Sequence, residues 1–134
     1  IDIVGRSGNT PLLMSVVGNH LDVIMLLIKR GADINQQNRD GNTALILACS
    51  QSNVEVALFL LGCQVEVNYF NQERETALMY SAWRGNSKLV CKLLDVGAEV
   101  GPKNLEGETA ISLAKSAGHH KIVKILDLIK NRKK

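Results

Sequence analysis

Gly41-Asn42-Thr43-Ala44-Leu45-Ile46-Leu47-Ala48 decides the fold, because it returns. Gly8-Asn9-Thr10-Pro11-Leu12-Leu13-Met14-Ser15 stands one copy upstream. Glu75-Thr76-Ala77-Leu78-Met79-Tyr80-Ser81-Ala82 and Gly107-Glu108-Thr109-Ala110-Ile111-Ser112-Leu113-Ala114 follow downstream. The threonines fall at 10, 43, 76 and 109, a constant spacing of 33 residues. A fixed period of this length marks a stacked array in which each unit buries its apolar face on its neighbours. A chain of 134 residues then holds about four units on one continuous core.

Within each unit the pattern predicts two helices. In the first copy Thr10 supplies a capping hydroxyl, and Pro11 suits the first helical position, where an N–H has no partner anyway. A short apolar helix to about Val17 follows, and Gly18-Asn19 turns the chain because both residues tolerate positive φ. A second helix runs from about Leu21 to Arg30, with Ile24, Leu27 and Ile28 sharing a face at i, i+3, i+4 spacing. Gly31 and Gly97 suit the left-handed residue that ends such a helix, but the second copy has Gln64 there. An early stop at Gly62 and an irregular loop are expected instead. The buried faces of the next two outer helices are Val56, Phe59, Leu60 and Leu61, then Leu89, Val90, Leu93 and Leu94. In the fourth copy Lys115 and Asp127 occupy core positions, as suits a terminal unit with nothing stacked beyond it.

The units divide at about 5–37, 38–70, 71–103 and 104–134, and residues 1–4 look like the tail of a preceding unit. Ile1 falls one period before Ile34, Val67 and Val100. The chain therefore reads as a piece of a longer protein with further repeats upstream. Val16, Ile24, Met25, Leu27 and Ile28 make no polar concession, so an exposed apolar patch is expected on that side of the first unit.

Composition narrows the function. Apolar residues make up 46 % and aromatics only 4 %, so aliphatics and alanine build the core. Net charge is +3, too mild to call for nucleic acid or acidic lipid. From Asn104 onward seven Lys or Arg face three acids, against nine and ten before it. Cys49, Cys63 and Cys91 are odd in number and match neither a disulfide framework nor a zinc pattern, which fits a reducing compartment. A cytoplasmic location is expected, and the lysine-rich tail Lys130-Asn131-Arg132-Lys133-Lys134 leaves nuclear access open. No apolar run is long enough to cross a membrane. His20, His119 and His120 lack a third ligand for a metal and read as solvated or turn-capping. No phosphate loop or catalytic constellation is visible, so neither enzyme nor cofactor is expected.

Thr10-Pro11-Leu12, Gly31-Ala32-Asp33-Ile34-Asn35, Gly97-Ala98-Glu99-Val100 and the strict period resemble ankyrin repeats, over essentially the whole chain. The resemblance implies an all-α solenoid of stacked helix-turn-helix units joined by β-hairpin finger loops, with a short inner and a longer outer helix per unit. It also implies a partner protein or peptide bound on the concave side, by fingers and inner helices. The family's usual histidine three residues after the threonine is Leu13, Ile46, Met79 and Ser112 here, so its hydrogen-bond network is missing. The finger glycine of Gly8, Gly41 and Gly107 is Arg74 in the third unit, which leaves that finger's shape open.

The family's variable concave positions are Arg6, Ser7, Asn9, Val17 and Gly18, then Arg39, Asp40, Asn42, Ser50 and Gln51. They continue with Gln72, Glu73, Glu75, Trp83 and Arg84, and with Leu105, Glu106, Glu108, Ser116 and Ala117. Tyr69 and Phe70 stand at a finger tip. Four of the few aromatics, Tyr69, Phe70, Tyr80 and Trp83, fall on one finger and one inner helix. Large amphipathic rings beside arginine are the material of protein-binding hot spots. Trp83 is expected to be exposed because its counterparts Val17, Ser50 and Ser116 are small or polar. Tyr80 replaces Met14, Leu47 and Leu113 and is expected to pack between units, while Tyr69 and Phe70 suit either role. Trp83 and Phe70 would anchor a partner, and Glu73, Arg74, Glu75 and Arg84 would set its register, with Arg39, Asp40 and Gln51 extending the surface. Two rivals remain: a small-ligand or single-stranded nucleic-acid site that stacks a base on Trp83, and a structural spacer in a larger protein. Acidic neighbours and mild charge count against the first.

Overall fold

A computed structural model describes residues 8–132. Ile1, Arg6 and Ser7, and Lys133 and Lys134 of the basic tail, lie outside the described residues. Among the described residues eight helices follow one another: α1 (Pro11–Val17), α2 (Leu21–Lys29), α3 (Ala44–Ser50), α4 (Val54–Leu61), α5 (Ala77–Arg84), α6 (Ser87–Asp95), α7 (Ala110–Ser116) and α8 (His120–Arg132). Among the described residues there is no strand, and one isolated bridge joins Phe70 to Thr76. The architecture is an all-α repeat solenoid.

The threonines start the inner helices α1, α3, α5 and α7. Each is extended, and each Oγ1 accepts an amide N–H three residues on, from Leu13, Ile46, Met79 and Ser112. This satisfies a donor the helix itself leaves orphaned. The turn to each outer helix needs one left-handed residue, and Asn19, Ser52, Gly85 and Gly118 supply it. In the first unit it is thus Asn19, and Gly18 keeps ordinary helical angles.

Consecutive inner helices pack on one another, each against its own outer helix, and α4, α6 and α8 stack behind them. Leu12, Leu45, Leu78, Leu60, Leu89, Leu93 and Leu126 are all buried in one cluster. Each such leucine stabilises the fold by about 1.5–3 kcal/mol. In the first unit large apolar side chains are exposed, but mostly other ones than those expected. Val16 and Ile24 are fully buried, and Leu27 and Ile28 are half-buried. Met25 is exposed, joined by Met14, Val17, Val23 and Leu26. In the fourth unit Lys115 and Asp127 are exposed.

Two irregular positions resolve in one way. Helix α4 does stop early, capped by Gly62, but Gln64 still takes the left-handed conformation at φ 59° that Gly31 and Gly97 take in their loops. Arg74 likewise adopts φ 61° where Gly8, Gly41 and Gly107 are left-handed. The third finger keeps its shape: Asn71 N–H donates to Glu75 O and Arg74 N–H to Asn71 O, as Asn38 and Gly41 do one period earlier. A side chain there costs about 1–2 kcal/mol against glycine. Arg74→Gly should therefore be more stable than Arg74→Ala by about 1 kcal/mol in denaturant unfolding, since both lose the arginine's contacts and only glycine relieves the backbone.

Asparagine ties the fingers in place of the missing histidines. Asn38 Oδ1 accepts from the N–H groups of Asp40 and Asn42, Asn71 Oδ1 from Glu73 and Glu75, and Asn104 Oδ1 from Glu106 and Glu108. The amide groups also link units: Asn38 Nδ2 donates to Asn9 Oδ1 at 2.9 Å and Asn71 Nδ2 to Asn42 Oδ1 at 3.0 Å. Backbone bonds add to the ladder, from Gln72 N–H to Asp40 O and from Leu105 N–H to Glu73 O.

Candidate functional site

On α5 the residues Met79, Tyr80 and Trp83 fall at helical spacing on the side toward the fingers. Met79 is buried, Tyr80 half-buried, and Trp83 is 49 % exposed. The helix ends at left-handed Gly85, over which the ring of His119 sits; a Cβ on Gly85 would fall 2.4 Å from that imidazole. His119 Nε2 lies 3.0 Å from the carbonyl oxygen of Trp83. With its proton on Nε2 the ring donates to that carbonyl, so the fourth unit fixes the end of α5 and with it the backbone of Trp83. His119 thus caps a turn in the neighbouring unit.

The Tyr80 hydroxyl donates to Glu75 Oε1 at 2.5 Å and lies 3.4 Å from Asn71 Nδ2. Burial first, then the hydrogen bond and charge of Glu75, push the phenol up to about 12. Glu73 adds to this through its charge. Tyr80 is therefore a neutral donor that orients Glu75. The residue both packs against the core, as expected, and lines a surface cleft.

That cleft, about 260 Å³, lies between the third and fourth units and is lined by Glu75, Met79, Tyr80, Trp83, Asn104, Glu106, Glu108 and Leu113. Its floor is apolar and aromatic, and its finger wall carries three carboxylates. Among the described residues none of these carboxylates is ion-paired, and no cation lines the cleft. The guanidinium of Arg84 stacks 5.4 Å from the Trp83 ring centroid.

The structure separates residues that the sequence grouped together. Phe70 and Arg74 stack on each other at 5.3 Å and line a different depression of about 200 Å³, with Asn68, Thr76, Glu99, Pro102 and Lys103. Glu73 is exposed on the finger between, and Tyr69 is half-buried against the core. Arg39, Asp40 and Gln51 are exposed on the second unit and line neither depression. The carbonyls of Arg39 and Asp40 accept from Gln72, and Gln51 Oε1 accepts from Asn53 Nδ2. Met79, Asn104 and Leu113 were missed as cleft residues. Glu106 and Glu108 stood at variable positions but outside the expected anchor set.

Cys49 is fully buried, and burial pushes its thiol up to about 11. A thiol so protonated is not a nucleophile. Cys63 is half-buried and Cys91 exposed. Among the described residues no group of His, Cys, Asp and Glu is arranged to hold a metal ion, and no helix is long and apolar enough to cross a membrane.

A family model described as ankyrin repeats in three copies matches residues 1–71, and one described as ankyrin repeats in many copies matches residues 61–114. No curated protein matches the chain.

Proposed function

The chain belongs to the ankyrin-repeat family, whose members are in general protein–protein interaction modules, and from that premise we propose that it is a non-enzymatic module binding a partner protein or peptide on its fingers and inner helices. The proposal takes the units at about 5–37, 38–70, 71–103 and 104–134. One observation carries the reading: the only tryptophan of the chain stands half exposed on an inner helix, lining a cleft, with its carbonyl held by His119 of the next unit. Tryptophan is enriched among residues that dominate binding energy. The finger ladder keeps the surface pre-organised, so little conformational entropy is lost when a partner docks. Trp83 is the central anchor, and Tyr80 and Glu75 fix its surroundings. Phe70 and Arg74 form a second contact area, with Arg39, Asp40 and Gln51 extending the surface toward the second unit. A nucleic-acid strand suits the site poorly, because Glu75, Glu106 and Glu108, which line the cleft with the indole, repel phosphates.

Selection of displayed random peptides on the whole chain tests this reading. Enriched peptides should lose binding to Trp83→Ala and keep it to Lys121→Ala, a change on the exposed start of α8. Enrichment of binders indifferent to every finger and inner-helix substitution would overturn it.

A further inference from the structure

We propose that the cleft between the third and fourth units is a subsite for one cationic side chain, lysine or arginine, of an extended segment of the partner. The inference rests on the protein-binding reading above and adds the chemistry of what is bound. Three independent features converge on it.

The first is charge. Glu75, Glu106 and Glu108 line one wall of the cleft, in a chain whose net charge is +3. The acidity is therefore local. The cations on neighbouring elements do not line the cleft: Arg74 stacks on Phe70 in the other depression, which Lys103 also lines, Arg84 stacks on the Trp83 ring, and Lys115 is exposed at the end of α7. The second feature is aromatic surface. Tyr80 and Trp83 both line the cleft, and aromatic faces attract ammonium and guanidinium groups. Met79 and Leu113 supply apolar floor for the methylene stem that such side chains bury.

The third feature is a free donor. Asn104 is only 8 % exposed, and its Oδ1 is saturated by the N–H groups of Glu106 and Glu108. In the two preceding units the matching Nδ2 donates to an asparagine 29 residues back. That position is Glu75 here, and its Oε1 is taken by Tyr80. Among the described residues Asn104 Nδ2 donates to nothing, and the residue lines the cleft. A peptide carbonyl beside the cationic side chain is the acceptor it lacks.

The test uses the whole chain and the emission of Trp83, the only tryptophan, as the reporter. Four capped peptides, Gly-Ser-X-Ser-Gly, carry lysine, arginine, citrulline or norleucine at X. The lysine and arginine peptides should change the emission saturably. The two neutral isosteres should bind at least about tenfold more weakly, as expected for loss of a charge-assisted contact. Glu106→Gln with Glu108→Gln should weaken the cationic peptides about tenfold. Glu55→Gln with Asp95→Asn, both exposed on outer helices, makes the same change in net charge and should leave binding within about twofold. Equal binding of citrulline or norleucine, or equal losses in the two double variants, would overturn the proposal. Its failure is separable from that of the broader reading. Selected peptides that depend on Trp83 but carry no enriched lysine or arginine refute the cationic subsite and leave protein binding standing.

Discussion

Asn71→Ala should lower the unfolding free energy by about 3 kcal/mol, and the melting temperature by roughly 10 °C. The side chain is 5 % exposed and bonds four residues at once, Tyr80 among them. Its Oδ1 accepts from Glu73 N–H at 3.0 Å and Glu75 N–H at 2.9 Å, and its Nδ2 reaches Asn42 Oδ1 at 3.0 Å. A net hydrogen bond is worth about 0.5–1.5 kcal/mol, and a donor left without an acceptor in a half-buried finger costs more. The loss should be graded along the chain. Asn38→Ala should cost slightly less than Asn71→Ala, because Asn38 makes the same two backbone bonds and its own link to Asn9 but is half-buried and has no counterpart of the Tyr80 contact. Asn104→Ala should cost less, because it lacks the bond to the preceding unit. Equilibrium denaturation of the three variants measures this directly. Equal and small losses would mean that the fingers are held by backbone bonds alone.

This network marks the limit of what was legible in the sequence. The period of 33 and the threonine caps were enough for the fold, since helix starts and apolar faces follow from local chemistry and repetition. Asn38, Asn71 and Asn104 obey the same period, yet an asparagine in a loop carries no hydrophobic signal, and the absent histidines suggested an absent network. At Gln64 and Arg74 a local rule pointed to altered loops. The neighbouring units imposed the left-handed backbone regardless, since a cooperative stack offsets about 1–2 kcal/mol at one residue. The site was legible in part. Trp83 stood out because its counterparts are small or polar. Its separation from Phe70 and Arg74 could not be read, because the side of a finger on which a side chain emerges depends on the turn's backbone angles. Nor could the pairing of α5 with Glu106, Glu108 and Leu113, which comes from stacking across 30 residues or so of intervening chain.

Trp83→Ala should reduce the affinity of a peptide selected on this surface by about 2 kcal/mol or more, roughly thirtyfold, with little loss of stability. The two effects separate because of where the indole stands. At 49 % exposure it is absent from the buried cluster, whose packing is completed by Met79, Leu78 and Ala82 on the same helix. Removing it deletes contact area mainly from the cleft and from the stack with Arg84. Truncation should therefore cost no more than about 1 kcal/mol in unfolding, well below the 2–5 kcal/mol of a core leucine cut to alanine. Trp83→Phe should recover much of the affinity by restoring an aromatic face, although phenylalanine attracts cations less strongly. In the wild type the emission should be red-shifted and open to acrylamide, and should shift to the blue when a partner covers the ring. Calorimetric titration with the selected peptide, beside denaturant unfolding of each variant, reads affinity and stability separately. A Trp83→Ala chain that unfolds early would place the indole in the core. A stable Trp83→Ala chain with undiminished affinity would move the binding surface elsewhere on the solenoid.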